Sequence, residues 1–364
     1  MAVSVETATT FSALTENYIE PGIFDQIFEG PSPLMKEIGR VWKDWRGENY
    51  EIKLETDELT LDWYAPASDI DASFTFTTPE IATQVTYSEK YGVIAIRLPC
   101  YQVDKQPSAP DKLRMLTRYT DNARKVAAKG ILSASLAASP DANGPESLWE
   151  IINDHDATYG YATVGGITSD ASSNGYWRSH IMQGTGTFGT AVSPSLQNIG
   201  FMVDRMARTV GEKPDVIVVA PDYYDVLEAQ LTPVQVQNGP DNRFKDWGYD
   251  SFNIKGVPVI WEDEMPGAAW ASGQTTRLAA AGYEALLINW KYLKAIETAK
   301  WNLKFHPNGW EIDGTKVPCY LNTLHLWWNW ATSSRRAHGH IFNVDISQAP
   351  SSYTKGTITR PVTA

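Results

Sequence analysis

The stretch His338-Gly339-His340, with Asp345 downstream, has the best claim to metal chemistry in this 364-residue chain. Strand alternation puts both imidazoles on one side. Three weak ligands without a His-x-x-x-His or a cysteine pair do not make a metal motif, and the stretch reads as an ordinary strand. Asp154-His155-Asp156 has the groups of an acid–base site, but it sits where a helix end or turn is expected. Asp69 and Asp71 lie in a Pro-punctuated segment where Asp is common for reasons of turn geometry. The run GTGTFG at 184–189 has no strand directly before it, no Gly-Lys-Ser/Thr and no acidic residue at ribose distance, so it is not a nucleotide loop. No Gly-x-Ser-x-Gly elbow occurs, and Cys100 and Cys319 carry no nucleophile signature. The residues therefore supply no catalytic constellation, no cofactor site and no metal site.

Charge narrows the partners. The net charge is −12, which disfavours tight general binding to nucleic acid. Residues 1–35 hold Glu6, Glu16, Glu20, Asp25 and Glu29 and no Lys or Arg, so they are not a basic arm. Two distant cysteines suggest a reducing compartment without a disulfide framework. No run approaches the roughly 18 apolar residues of a membrane span, and no secretory signal is visible.

The elements that must position any site follow from periodicity. Residues 1–45 scatter apolar anchors (Phe11, Leu14, Tyr18, Ile19, Phe24) among Pro and Gly, as in an arm lying on another surface. YEIKLET alternates as a half-buried strand, and QVTYSEKYGVIAIRL continues the pattern, which predicts a long hairpin over 48–98 with an irregular acidic tip, DWYAPASDIDA. A long helix is expected over about 109–139, capped by Ser108, with Pro110 in its first turn. Leu113, Leu116, Thr120, Ala123, Ala127, Ile131, Ala134 and Ala138 form its buried stripe, and Arg114, Arg118, Lys125 and Lys129 line its polar face. A second helix is expected after Ser193-Pro194, ending at Gly211. DVIVVAP is an apolar run expected to be a strand buried on both faces, and DYYDVLEAQL a short helix. CYLNTLHLWWNWAT alternates, with Tyr320, Leu324, Leu326, Trp328 and Trp330 on one face. In GITSDASSNGYWRSHI a polar loop ends in Tyr176, Trp177 and Arg178, and Trp177 is expected to plug a packing seam while Arg178 satisfies carbonyls or reaches another subunit.

In this order and at these spacings the parts resemble the major capsid protein of tailed double-stranded DNA bacteriophages, the Hong Kong 97 type. The marks are ATYGYATVGGITSDASSNGYWRS between long helix and α/β region, then PDVIVVAPDYYDVLEAQL, then KGVPVIWEDEMP. The resemblance covers most of the chain and implies an α+β fold. Its parts would be an N-terminal arm (1–45), an extended E-loop hairpin with flanking strands (46–100), and a peripheral domain (101–189 and 298–346) containing the spine helix. An axial α/β domain (190–297) and a C-terminal tail (347–364) complete it.

The resemblance also implies a non-enzymatic protein that assembles with itself into the hexamers and pentamers of an icosahedral shell around the genome. Such a protein acts in the virion after assembly in the bacterial cytoplasm. The implied partners are a separate scaffolding protein, since the chain reaches its arm directly from Met1, and a portal protein at one vertex. Contact with packaged DNA would be weak and non-specific, and no membrane is involved. The hairpin tip lacks Lys, so covalent crosslinking is not expected and a decoration or cement protein would help hold the shell. The expected inter-subunit contacts are Glu55, Asp57 and Glu58 on the hairpin, Arg114, Arg118, Lys125 and Lys129 on the spine helix, and Arg178, with Trp177 as the packing anchor. Two other readings remain at this stage: an encapsulin-type compartment of the same fold, and a β-rich hydrolase suggested by the 14 Trp.

Overall fold

The computed structural model describes residues 27, 32–44, 49–55, 82–106, 108–137, 143–152, 163–168, 176–183, 192, 194–231, 252–265, 283–297, 303–305, 311–313, 319–346 and 357–359. In chain order the first elements are α1 (Pro33–Val41), β1 (Trp42–Asp44), β2 (Asn49–Glu55), β3 (Ala82–Ser88), β4 (Lys90–Pro99), α2 (Cys100–Asp104), α3 (Ala109–Leu136) and α4 (Leu148–Ile151). Then come β5 (Thr163–Val164), β6 (Ile167–Thr168), β7 (His180–Gln183), α5 (Leu196–Val210), β8 (Val216–Val219), α6 (Pro221–Glu228), β9 (Phe252–Ile254) and β10 (Val257–Trp261). The last are β11 (Tyr283–Ile288), β12 (Leu293–Glu297), β13 (Lys304–Phe305), β14 (Glu311–Asp313), β15 (Cys319–Thr332), a 3-10 turn (Arg335–Ala337), β16 (Gly339–Val344) and β17 (Thr357–Thr359).

The first sheet is organised by β15. Along one edge it pairs antiparallel with β4, from Trp328 opposite Lys90 to Cys319 opposite Pro99. Three short strands share its other edge: β14 at Cys319–Leu321, β13 at Leu324–His325 and β12 at Trp328–Thr332. β1 adds in parallel to β12. Alternation sorts the side chains of β15, so that Tyr320, Leu324, Trp328 and Trp330 are buried as their spacing predicts.

Helix α3 lies against β4. The Ser108 hydroxyl caps it by accepting from the Asp111 N–H at 3.4 Å. It ends at Leu136, short of the expected 139, because Ala137 is already extended. Leu116, Thr120, Ala123, Ala127 and Ile131 are buried along one stripe. The small residues in it let the helix sit close to its neighbours, and the Trp330 indole donates to Ser135 Oγ at 3.1 Å to tie helix to β15.

The second sheet has the order β17-β7-β16-β11-β8-β10-β9. Its alternate residues feed two cores. Val216, Val218, Leu286 and Ile288 join the core shared with α3 and the first sheet. Ile217, Val219, Leu287 and Val259 pack beneath α5 and α6, against Met202, Met206, Tyr223 and Leu227. The β8 run is thus buried on both faces as its continuous apolar sequence predicts. Helix α5 is capped by Ser195 rather than Ser193, since Pro194 and Ser195 are both non-helical, and it stops at Gly211 in the left-handed region. Sheet membership does not change at residue 297. β12 (Leu293–Glu297) belongs to the first sheet, whereas β7 and β16, expected with the peripheral strands, belong to the second.

β2 and β3 pair antiparallel from Asn49–Ser88 to Glu55–Ala82, the base of the expected hairpin. Its tip lies outside the described residues. Where β3 meets the body, Thr86 N–H donates to Gly165 O at 3.0 Å and the Tyr87 hydroxyl to Thr332 O at 3.0 Å. Gly165 has φ +58, and a Cβ there would collide with the Val85 side chain. Gly165→Ala should lower stability by about 1–3 kcal/mol, from strain plus overpacking, read as a fall in thermal midpoint. Gly166→Ala, whose Cβ would meet nothing within 4 Å, should cost less.

Candidate functional site

Trp177 lies just before β7 and is 1% exposed. Its indole N–H donates to Val164 O at 3.1 Å, so the ring closes over the β5–β6 turn. Its own carbonyl accepts from an Arg335 terminal nitrogen at 3.3 Å, and Arg335 Nε donates to Ile151 O at 2.8 Å. Arg335 is fully buried. One guanidinium therefore joins the end of α4, the Trp177 turn and the crossing from β15 to β16. The cation that reaches the carbonyls beside Trp177 is Arg335. Two adjacent arginines in the polar stretch SSRRAHGH look like surface in sequence, and no signal there marks one of them as buried. Arg178 is itself 8% exposed, and that burial argues for a packing role over contact with another copy.

Carboxylates gather near this cation. Burial pushes Glu146 up to about 8, with Glu150 adding to the rise and Lys90 and Arg335 opposing it. Burial likewise raises Glu150. The Glu146 backbone N–H donates to Asn329 Oδ1 at 2.8 Å, and Asn329 Nδ2 donates to Ser88 O at 2.7 Å, at the break between β3 and β4.

The histidines are structural in placement. His338 Nδ1 accepts from the Asn289 N–H at 3.3 Å, and Nε2 faces the Thr332 hydroxyl at 3.2 Å. Burial, then Arg335, pushes its ring down to about 3, so it is neutral near pH 7. His340 Nε2 lies 2.9 Å from Glu284 Oε2, to which the Trp149 indole also donates at 2.6 Å. His180 pairs in register with Gly339, and burial, then Arg336, pushes it down to about 4. Among the described residues no three His, Cys, Asp or Glu are grouped to hold a metal ion. A further buried acid, Glu262, accepts from the hydroxyl of Ser32, the cap of α1. Burial pushes Glu262 up to about 7, against the Ser32 hydrogen bond.

The helix cations are solvated. Arg114 is 85% exposed and 3.9 Å from Asp111. Arg118 and Lys125 are exposed, and Lys129 reaches Glu264 at 3.5 Å beside β10. Arg114, Arg118 and Lys125 border an open groove of about 1250 Å³ between α2 and the first half of α3. Of the hairpin carboxylates, Glu55 is placed by its backbone alone, at the end of β2. Asp57, Glu58, Asp69, Asp71, the Asp154–Asp156 triplet and the 184–189 run lie outside the described residues.

No family model and no curated protein matches the chain. Solved structures do. It is similar to a chain of the cyanophage A-1(L) capsid asymmetric unit, with TM-score 0.60 and 14% identity over 87% of this chain and 93% of that one. It is similar to the capsid of the native GTA particle, with TM-score 0.50 and 9% identity over 84% and 89%. A chain of the holo-SrpI encapsulin complex from Synechococcus elongatus PCC 7942 aligns at TM-score 0.49 and 13% identity over 88% and 89%, too low to weigh. At these identities the likeness is one of fold.

Trp177→Ala should cost about 3–5 kcal/mol, because a large side chain and its hydrogen bond leave a closed site; soluble yield and thermal midpoint should fall together. Glu262 gives a pH test. Its folded value lies above the unfolded value near 4.5, so the folded state holds the extra proton and stability falls as pH rises from about 4.5 to 7. Glu262→Gln should match the wild type at pH 4 and exceed it at pH 8 by on the order of 2 kcal/mol, measured by denaturant unfolding at each pH.

Proposed function

We propose that this chain, which has the Hong Kong 97-type shell fold, is the major capsid protein of a tailed double-stranded DNA bacteriophage. It would assemble with itself as hexamers and pentamers into an icosahedral shell that encloses the genome. The observation that carries this reading is the likeness to the cyanophage capsid chain along nearly its whole length. The buried His338, His340, Glu284 and Glu262 support a non-enzymatic role, since each is hydrogen-bonded to protein groups. On this reading the first sheet with α3 would belong to the peripheral part and the second sheet with α5 and α6 to the axial part, with β2 and β3 the base of the hairpin. A scaffolding protein during assembly, a portal and a decoration protein are the partners this reading carries, and the virion is its place of action.

Assembly is read as contact between acidic and basic surfaces of neighbouring copies. Glu55, Asp57 and Glu58 on one hairpin would face the exposed Arg114, Arg118, Lys125 or Lys129 of the next copy, pairs that set register more than they add affinity. Electron microscopy of the purified chain, alone and co-expressed with neighbouring genes, tests the reading. Closed icosahedral particles that hold DNA in infected cells are the expected result. Particles filled with a protein cargo would favour a compartment, and a stable monomer would overturn the shell. In a particle structure, hairpin carboxylates more than about 6 Å from every neighbouring cation would remove the proposed pairing.

A further inference from the structure

Glu262 opens the turn that follows β10, and its main chain is held on both sides. Its backbone N–H donates to Val219 O at 3.0 Å, and its carbonyl accepts from the Met265 N–H at 3.0 Å. The side chain is buried and reaches a distant part of the chain, where Oε2 accepts from the Ser32 hydroxyl. Ser32 is at the same time the cap of α1, and its Oγ accepts from the Met35 N–H at 3.2 Å. The rest of α1 belongs with the first sheet: it packs along β12 and buries Leu34, Met35 and Ile38. One hydroxyl thus ties the start of α1 to the end of a strand in the second sheet, and its acceptor there is a buried acid.

Charge around this contact is one-sided. Asp263 and Glu264 follow Glu262 directly, and Lys129 of α3 lies 3.5 Å from Glu264. The charges of α1 are Lys36, Glu37 and Arg40, and Arg40 pairs with Glu37 at 3.2 Å. β8 has none. Burial raises the Glu262 carboxyl, the Ser32 hydrogen bond opposes the rise, and Asp263 and Glu264 add to it. An ionised carboxylate at this point recovers its hydration only if water reaches it. With the main chain of Glu262 fixed to β8, the element that can give way is the start of α1. We propose that the Ser32–Glu262 contact is a proton-sensitive latch, which holds the start of α1 closed while Glu262 is protonated and lets it open when Glu262 ionises. The closed form keeps the raised carboxyl and the open form an ordinary one, so opening grows as pH rises from about 4.5 to 7 and levels off above. The latch belongs to the single chain and does not depend on the shell reading.

Native-state hydrogen exchange of the full-length chain tests it, read at the α1 amides from Met35 to Val41 and corrected for intrinsic exchange at each pH. Between pH 5 and pH 8 the α1 opening constant should rise at least about tenfold, below the roughly 300-fold ceiling that linkage between about 4.5 and 7 sets. Low urea separates this opening from global unfolding. A local opening exposes little surface, so the α1 constant should hardly change with urea, while that of α5 climbs with the full unfolding slope. Glu262→Gln keeps the shape of the protonated acid and should leave α1 closed and flat across the range. Should that variant fail to fold, Asp263→Asn removes one repelling charge and should shrink the rise. Ser32→Ala separates the latch from simple capping. Loss of a cap alone would raise exchange by one factor at every pH, whereas loss of the donor to the ionised carboxylate should also carry the rise beyond pH 7. A flat wild-type α1 overturns the proposal, as does a rise that survives Glu262→Gln or is unchanged by Asp263→Asn. So does an α1 that shares the constant and urea slope of α5, or a Ser32→Ala profile parallel to the wild type at every pH.

Discussion

A single buried guanidinium fixes the relation between the two sheets. Arg335 donates hydrogen bonds to the carbonyls of Ile151 and Trp177, two backbone acceptors in a buried interior. A buried cation is costly unless its donors are met. Here they are met by the end of a helix, where backbone carbonyls have no partner of their own. Removing the arginine would leave the Ile151 carbonyl with the Ser179 hydroxyl at 3.4 Å and take from the Trp177 carbonyl its guanidinium donor, and moving any one of the three segments would break the arrangement for the other two. His338 three residues on is held neutral beside this charge, locked between the Asn289 amide and the Thr332 hydroxyl.

From this point a continuous set of contacts leads outward to the hairpin. Arg335 holds Trp177, the Trp177 indole holds Val164, and the adjacent Gly165 carbonyl receives the Thr86 amide on β3. On the other side Thr332, which ends β15, takes the Tyr87 hydroxyl. The root of the hairpin is thus clamped by the same few residues that join the sheets. At the Ser88–Lys90 break Asn329 joins the Ser88 carbonyl to the Glu146 backbone.

Much of this was legible in the residues. The caps and small-residue stripe of α3, the alternation of β4 and β15, the doubly buried β8 and the stop at Gly211 all express local rules, and local rules act on short stretches. What periodicity does not encode is which sheet a strand joins. β16 alternates as β15 does, yet it lies between β7 and β11 because the turn at Arg335 redirects the chain. Ser193 and Ser195 flank the same proline, and the choice fell to Ser195, whose hydroxyl reaches the Gln197 N–H at 3.1 Å while Gln230 takes that of Leu196 at 3.3 Å. Trp177 stood out by type, since a large aromatic closing a polar loop needs a pocket. Its partner Arg335 did not, because burial of an arginine depends on carbonyls supplied from residues 151 and 177.

The long stretch of chain between β4 and β15 sets the order of folding during synthesis. β4 is complete at Pro99, but the strand it pairs with begins at Cys319. At about 5–20 residues per second, a ribosome needs on the order of ten to forty seconds to bridge that gap. Throughout it the apolar stripe of α3 and the β15-facing edge of β4 lack their sheet. A nascent chain of this kind is a natural client for chaperones, and the synthesis of β15 converts it from a sticky intermediate into a body with a closed core.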